Sequence, residues 1–257
     1  MMNHKTSAYL PGLIWTLVRT DFKTRYHGTL GGYLWALAKP LTMFAVLYGV
    51  FSVIFTMDTF YALNLIVGLF LYDFFSEATR TGVLSLHAKA FLLTKTKFPS
   101  WVVALTSVSS ALITVVIFSI AVSGYIAVFK RPLSFLQIGC FSLYVFLFLV
   151  IIMGIVLAGS VLFLRYRDMN QIWDLMLQAG FFFTPIIYPM DIVPHKFHFI
   201  MYAWMPTVVI QFSRSVLVRG DIPSLTAHLM LAGSAGIVFL TGAVLFWRLA
   251  PRSMERL

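Results

Sequence analysis

The sequence predicts an all-α membrane protein with six transmembrane helices, an N-terminal amphipathic interface helix, and re-entrant helices between spans five and six. Composition is the first reason. Charged residues make up 11% of the chain and apolar residues 60%, whereas about a quarter of a soluble domain is charged. The second reason is that the apolar residues occur in long stretches. A stretch of roughly 20 to 25 residues is enough for a helix to cross a ~30 Å hydrocarbon core.

Length and charge favour a single transmembrane domain over residues 1–257. Six spans use most of the 257 residues, so no second soluble domain of any size fits. The net charge of +10 suits connectors that contact anionic lipid headgroups, and we do not expect nucleic-acid binding. The single cysteine, Cys140, excludes a disulfide or a thiolate metal site within one chain.

Residues 8–27 are predicted to form the amphipathic interface helix. Apolar side chains recur at helical spacing on one face, while polar and basic side chains take the other, so the helix is expected to lie in the membrane surface. The apolar face comprises Leu10, Leu13, Ile14, Leu17, Val18 and Phe22. The glycine-rich stretch from Gly28 to Gly32 is then expected to break the helix.

The apolar stretches and their polar ends define the spans. The six predicted spans cover residues 33–56, 60–80, 101–128, 134–164, 170–188 and 224–247. A basic connector, 81–99, separates the second and third spans. Pro189 and Pro194 follow the fifth span, and residues 195–219 are apolar but interrupted by Pro206. Such a segment is expected to be re-entrant or interfacial, which is tolerated only where protein or a wet cavity covers the backbone.

The basic residues indicate the orientation. If the N-terminus is cytoplasmic, thirteen of the 19 Lys and Arg residues fall on the inside and five fall outside, with Lys39 in the first span. The outside five are Lys130, Arg131, Lys196, Arg214 and Arg219. Because cytoplasmic connectors carry an excess of Lys and Arg, we expect a multi-pass protein of the cytoplasmic (inner) membrane with both termini in the cytoplasm.

Motifs for nucleotide or hydrolytic chemistry are missing from the sequence. It contains no G-x-x-x-x-G-K-[ST] phosphate loop, no H-E-x-x-H, no Cys/His cluster and no G-x-S-x-G. A membrane-embedded glycan enzyme would need carboxylates or His at a reaction centre, and only Asp73, Glu77 and Asp174 approach membrane depth. The enzyme hypothesis is therefore weak, while a purely structural membrane partner stays open. We expect no metal site and no cofactor in this chain.

Asp73, Glu77 and Arg80 lie on one helical face at the end of the second span, and Glu77 can pair with Arg80. Two interpretations are open. If Asp73 lies deep, the group belongs to a proton or substrate pathway. If the span ends near Asp73, the three residues sit at the cytoplasmic interface. The second is favoured because Arg80 leads directly into the basic connector.

Aromatic residues are the other conspicuous signal. Phe44, Tyr48, Phe51 and Phe55 recur at i, i+4, i+7 and i+11 along the first span, and Phe181, Phe182 and Phe183 cluster in the fifth. Aromatic faces stack on sugar rings, so such residues could line a path for a glycan. They could equally face lipid or pack between helices, and the pattern by itself favours that second interpretation.

Several motifs in order resemble the permease subunits of ABC exporters of polysaccharides, the family that serves O-antigen, capsule and teichoic acid export. The motifs are Arg25-Tyr26 followed by Leu30-Gly31-Gly32-Tyr33-Leu34-Trp35-Ala36 and Lys39-Pro40-Leu41, Gly68-Leu69-Phe70, Lys95-Thr96-Lys97-Phe98-Pro99, Arg165-Tyr166-Arg167-Asp168, and Phe183-Thr184-Pro185-Ile186-Ile187-Tyr188. The resemblance covers nearly the whole chain. One departure is Met205, which stands where the family usually has Asn before the proline at Pro206.

The resemblance implies partners that the chain itself lacks. Such permeases form a homodimer with two separate ATPase subunits, which bind the ATP and Mg²⁺, and this would explain the missing phosphate loop. The 81–99 connector would hold the coupling helix that enters a cleft on the ATPase, and the interface helix would lie beside it. The expected coupling residues are Leu86, His87, Lys89, Phe91, Leu92 and Lys95.

The resemblance also implies a path for the substrate. A channel for a polyprenyl-linked polysaccharide would run between the protomers, with residues 189–219 as its external gate. In this context the aromatic stripes of the first and fifth spans are favoured as channel lining. The basic interface residues Arg19, Lys23 and Arg25 are expected to guide the lipid pyrophosphate. A related permease for drugs or simple lipids is the alternative.

Overall fold

The computed structural model describes residues 4–26, 34–55, 60–95, 99–129 and 133–254, and every regular element in these ranges is helical. The described helices are α1 (His4–Tyr26), α2 (Leu34–Phe51), α3 (Tyr61–Ala88), α4 (Ala90–Lys95), α5 (Ser100–Ser107), α6 (Ser109–Phe129), α7 (Phe135–Arg165), α8 (Met169–Phe183), α9 (His195–Ala203), α10 (Met205–Arg214) and α11 (Leu225–Met254). A 3₁₀ turn (Met190–Ile192) precedes α9, and a π-helical turn (Ser215–Arg219) follows α10.

Four helical stretches in the described ranges are long and apolar enough to cross a membrane: Tyr61–Ala88, Ser100–Ile126, Phe135–Arg165 and Leu225–Pro251. The all-helical class is confirmed for these ranges. The predicted first and fifth spans correspond to shorter helices, α2 with 18 residues and α8 with 15. At 1.5 Å per residue α8 is about 22 Å long, less than the hydrocarbon core. The count of six spans therefore stays a prediction.

Some sequence motifs lie partly outside the described residues. The glycines from Gly28 to Gly32, the middle of the Lys95–Pro99 motif and the turn Lys130-Arg131-Pro132 belong to this group. The side chain of Arg25, which the sequence assigns to the interface helix, is also outside the described part of the chain.

Helices α3 and α7 form the centre of the bundle. α11 packs along α7, α5 and α6 pack on α3, and α10 lies against both central helices. α2 and α8 contact another side of α3, and α1 crosses α5 and α6. The core between α3 and α7 is apolar and tightly packed, as the parallel stack of the Phe75 and Phe148 rings at 5.5 Å shows.

Glycines allow the central helices to approach closely. A Cβ atom on Gly242 of α11 would overlap the carbonyl group of Gly154 on α7, and one on Gly82 of α3 would overlap Val156 of α7. Small residues at such crossings let helix backbones meet, which is a main source of helix association in lipid.

Gly242→Ala is expected to lower the melting temperature of the purified protein. The new methyl group meets backbone atoms that cannot move aside, so the helices must separate, at a cost of about 1–3 kcal/mol. Gly233→Ala is the matched control on the same helix, because a Cβ atom there meets nothing within 4 Å. The control should melt at the wild-type temperature or above it, since Ala favours helix. Equal melting temperatures for the two variants would contradict this packing.

Candidate functional site

A short non-helical segment, Thr184–Tyr188, interrupts the apolar region after α8, and its first four residues are buried. Thr184, Ile186 and Ile187 are 1%, 2% and 8% exposed. Non-helical backbone inside a membrane protein needs hydrogen-bond partners from the protein itself, because the hydrocarbon supplies none. The segment coincides with the Phe183–Tyr188 motif of the sequence.

Arg214, at the end of α10, supplies two of these partners. Its Nη1 donates to the carbonyl oxygen of Pro185 at 2.6 Å, and its Nη2 donates to that of Ile186 at 3.0 Å. Its Nε donates to the carbonyl oxygen of Asn64 on α3 at 2.8 Å. One guanidinium group therefore joins α10, α3 and the Thr184–Tyr188 segment. We call Arg214 and these three hydrogen bonds the arginine clamp.

Two residues of α3 complete the arginine clamp. Tyr61 donates its hydroxyl hydrogen to the carbonyl oxygen of Ile187 at 3.0 Å, so three consecutive carbonyls of the segment are bonded by side chains. Gly68 provides the space for the guanidinium, because a Cβ atom there would overlap Nη2 of Arg214. The glycine of the Gly68-Leu69-Phe70 motif thus has a direct steric role.

The sequence analysis did not predict the structural role of Arg214. The count of basic residues placed Arg214 in an outside connector, whereas its side chain is 6% exposed and lies inside the bundle. A signal in the sequence was its position within residues 208–218, of which seven are apolar. An ionisable residue at such a position usually faces a polar partner within the protein.

An open cleft of about 700 Å³ lies between α2, α3 and α8. Its volume falls in the range of known small-molecule sites, ~300–1,000 Å³. Most of its wall is apolar, with a few polar and charged groups. The lining residues are Trp35, Ala38, Lys39, Pro40, Thr42, Met43, Val46, Leu69, Tyr72, Asp73, Ser76, Arg80, Leu177, Gln178, Phe181 and Phe182.

Two ion pairs border this cleft. Nζ of Lys39 lies 3.3 Å from Oδ1 of Asp73, and Nε of Arg80 lies 2.7 Å from Oδ1 of Asp174 on α8. The sequence suggested Glu77 as a partner of Arg80. Arg80 and Asp174 are 94 positions apart in the sequence, so no local spacing indicates that they pair.

The position of Asp73 along α3 bears on its depth. The sequence favoured a span that ends near Asp73, but the helix continues to Ala88. Counted from Tyr61, Asp73 lies about 18 Å along the helix and Arg80 about 28 Å along it. The ~30 Å core of a bilayer can be placed along this helix of about 42 Å in more than one way, so the depth of Asp73 stays a prediction. The ion pair with Lys39 compensates its charge.

The predicted aromatic stripes separate into different surroundings. Phe181 and Phe182 line the cleft. On α2 the cleft side is formed by Lys39, Met43 and their neighbours, while the predicted stripe lies on another face. There Phe44 stacks on Tyr48 at 5.6 Å, Tyr48 and Phe55 approach the ring of Tyr61, and Phe51 stacks on Phe55.

Phe183 lines a separate apolar hollow of about 320 Å³ with Tyr188 and residues of α9. Within the single chain, therefore, the described structure does not bring the two predicted stripes together. Their assignment to a channel stays a prediction.

The predicted coupling region begins as a direct continuation of α3. Leu86 is fully buried, and His87 stacks edge-on against Phe163 while its Nε2 lies 3.0 Å from Nη1 of Arg167. α4 then presents Phe91, which is 70% exposed and lies beneath the Nζ of Lys95 at 4.2 Å. Leu92 is only partly exposed. An exposed aromatic ring on a short helix is a surface feature of the kind that partner proteins bind.

The interface helix is tied to this region by an ion pair between Asp21 of α1 and Lys89, which are both about one-fifth exposed. Arg19 and Lys23 of α1 are exposed, and neither lines the α2–α3–α8 cleft. Among the described residues, no three His, Cys, Asp or Glu side chains converge as metal ligands would.

Comparisons with known proteins agree with the sequence resemblance. Residues 12–218 match the family model described as ABC-2 type transporter. Two O-antigen export system permease proteins RfbA from Klebsiella pneumoniae are 32% and 27% identical to the chain over 75% of each sequence. A third protein with this name, from Myxococcus xanthus, is 24% identical over 90% of each sequence.

Proposed function

The chain belongs to the ABC-2 type transporter family, and on that basis we propose that it is the channel-forming permease subunit of an ATP-driven exporter of a lipid-linked polysaccharide. The relatives named for O-antigen export favour a polysaccharide over a drug or a simple lipid. The observation that carries the proposal is the open, mostly apolar cleft between α2, α3 and α8, which is bordered by aromatic rings and by two ion pairs, each of a cation and a carboxylate.

The energy for transport comes, in this proposal, from a separate ATPase that binds ATP and Mg²⁺. The absence of a phosphate loop from the sequence supports a second chain in that role. Phe91 on α4 is the proposed contact, and two copies of the permease would pair with two ATPase subunits. The termini and the α4 end of α3 would face the cytoplasm, as the basic residues of the sequence favour.

Helix α3 gives a physical route from the ATPase to the substrate. It is one helix of 28 residues, about 42 Å long. One end leads into α4, its middle carries the cleft residues Asp73 and Arg80, and its other end carries Tyr61 of the arginine clamp. Displacement of α4 as the ATPases close on ATP would therefore move the cleft and the Thr184–Tyr188 segment together.

Substrate would pass in two stages. The basic residues Arg19, Lys23 and Arg25 are proposed to attract the pyrophosphate of the lipid-linked glycan at the membrane surface. Aromatic rings would then hold the sugar rings by stacking while the polymer moves. Stacking tolerates many sugars because it does not depend on a specific pattern of hydrogen bonds. Residues 189–219, including α9 and α10, would form the external gate.

Deletion of the gene in its source organism tests the function. Polysaccharide should disappear from the cell surface while its lipid-linked form accumulates in the cytoplasmic membrane, and the wild-type gene should reverse both effects. The outcome that would contradict the proposal is normal surface polysaccharide with a defect only in the efflux of small hydrophobic compounds. That result would support the drug or lipid alternative.

A further inference from the structure

Two cations face one cleft, but they are held differently. The guanidinium of Arg80 is bonded to Asp174 at 2.7 Å, and the side chains of both residues are about a third to two-fifths exposed. The ammonium group of Lys39 is 3.3 Å from Asp73, and the Lys39 side chain is 69% exposed. Both pairs join neighbouring helices, but the Lys39 pair is longer and its ammonium group is more exposed, so Lys39 is the cation that changes partners more readily.

The surroundings of Lys39 indicate what such a partner would be. The cleft walls next to it include Trp35, Met43 and Val46 on α2 and Phe181 on α8. A ligand that fills this space needs an apolar chain for the walls and an anion for the ammonium group. An ammonium is a compact charge with three donors, which suits phosphate oxygens.

We propose that Lys39 and Asp73 form an exchange site, in which the diphosphate of a polyprenyl diphosphate displaces the Asp73 carboxylate from the Lys39 ammonium group. This inference rests on the proposed function, because it assigns residues to the recognition of that lipid carrier. It adds a second anion contact inside the cleft, beyond the contacts proposed for Arg19, Lys23 and Arg25.

The exchange explains why the acidic residue Asp73 lines a cleft that is proposed to bind an anion. Without Asp73, the Lys39 ammonium group would lose the carboxylate that lies 3.3 Å from it when the cleft is empty. With Asp73 present, the incoming diphosphate must break an existing pair, so its net affinity is reduced. A transport path requires a ligand that binds well enough to enter and weakly enough to leave.

Ligand binding to the purified full-length chain tests the exchange. Native mass spectrometry in detergent would measure the affinities of geranylgeranyl diphosphate and of the uncharged alcohol geranylgeraniol. For Lys39→Met we expect about tenfold weaker binding of the diphosphate and unchanged binding of the alcohol, the effect of one modest charge pair. For Asp73→Asn we expect about tenfold tighter binding of the diphosphate, because the competing carboxylate is gone.

The sign of the Asp73→Asn effect separates this role from a structural one. If the pair only stabilises the bundle, both variants should lower the melting temperature and weaken both ligands alike, which would overturn the proposal. Arg248→Met is the control, since Arg248 is an exposed basic residue on α11 that does not line the cleft. If Lys39→Met fails to fold, Asp73→Asn decides alone.

Two further arms identify the source of the anion. Inorganic pyrophosphate should bind at least about tenfold more weakly than geranylgeranyl diphosphate, because it lacks the apolar chain that fills the cleft. Phosphatidylglycerol should not compete with the diphosphate at equal concentration. If inorganic pyrophosphate or phosphatidylglycerol binds as tightly as geranylgeranyl diphosphate, the assignment to a prenyl carrier is overturned. A negative result in the binding experiments would contradict the exchange site but not the proposed function, which the gene deletion tests. Normal surface polysaccharide after deletion would contradict the proposed function but not the binding measurements.

Discussion

Replacement of Arg214 by methionine is expected to destabilise the protein severely, by more than the glycine substitution on α11. Methionine keeps the apolar stem but removes the donors to the carbonyl oxygens of Pro185, Ile186 and Asn64. A buried carbonyl that loses its donor costs ~1–3 kcal/mol, so the loss should total roughly 3 kcal/mol or more. The melting temperature of the purified protein in detergent measures this, together with the yield of correctly inserted protein.

Two comparisons isolate the arginine clamp. Arg219→Met removes an exposed arginine five residues further along and should leave the melting temperature unchanged. Gly68→Ala should resemble Arg214→Met, because its methyl group occupies the space of the guanidinium. If Arg214→Met melts at the same temperature as Arg219→Met, the three hydrogen bonds do not hold the Thr184–Tyr188 segment in place.

Phe91→Glu is expected to abolish export while the permease remains folded in the membrane. Phe91 is 70% exposed on α4, so the change removes little internal packing. It places a negative charge where we propose that an apolar ring enters the ATPase. An aromatic anchor in such an interface is commonly worth about 2 kcal/mol or more, which corresponds to roughly thirtyfold weaker binding.

Co-purification with the ATPase and surface polysaccharide are the measurements for Phe91→Glu. Phe91→Leu should retain most of both, because an apolar side chain remains. Phe135→Glu changes a 95% exposed phenylalanine at the start of α7 and should not affect ATPase binding. Leu92→Glu is a less clean test because Leu92 is partly buried. Unchanged export by Phe91→Glu would refute the assignment of α4 as the coupling helix.

The fold class could be predicted because it depends on composition and local pattern. The apolar stretches at 134–164 and 224–247 correspond to α7 and α11, and residues 8–27 correspond closely to α1. The predicted end of the second span at residue 80 did not coincide with a helix end. Because a helix can continue beyond the bilayer, the end of this span stays a prediction, and local hydropathy does not detect that Lys39 and Asp174 compensate Asp73 and Arg80.

The contacts that define the candidate site could not be predicted from local pattern either, because they join residues that are far apart in the sequence. Arg214 is bonded to residues 28, 29 and 150 positions away in the sequence, and no local spacing signals such pairs. The spacing of Phe44, Tyr48 and Phe51 agrees with one face of α2, whereas Phe55 lies beyond the end of that helix and stacks on Phe51. Spacing alone cannot say which neighbour that face meets, and the cleft is on another side of α2.

Reconstitution of the purified chain in lipid vesicles, with and without its ATPase, tests the central claim most directly. The measurements are ATP hydrolysis and the movement of a lipid-linked polysaccharide across the bilayer. We predict no hydrolysis by the chain alone, and ATP-dependent movement of the glycan only when both proteins are present. Robust hydrolysis by the permease without a companion subunit, or glycan movement that needs no ATPase, would contradict the account.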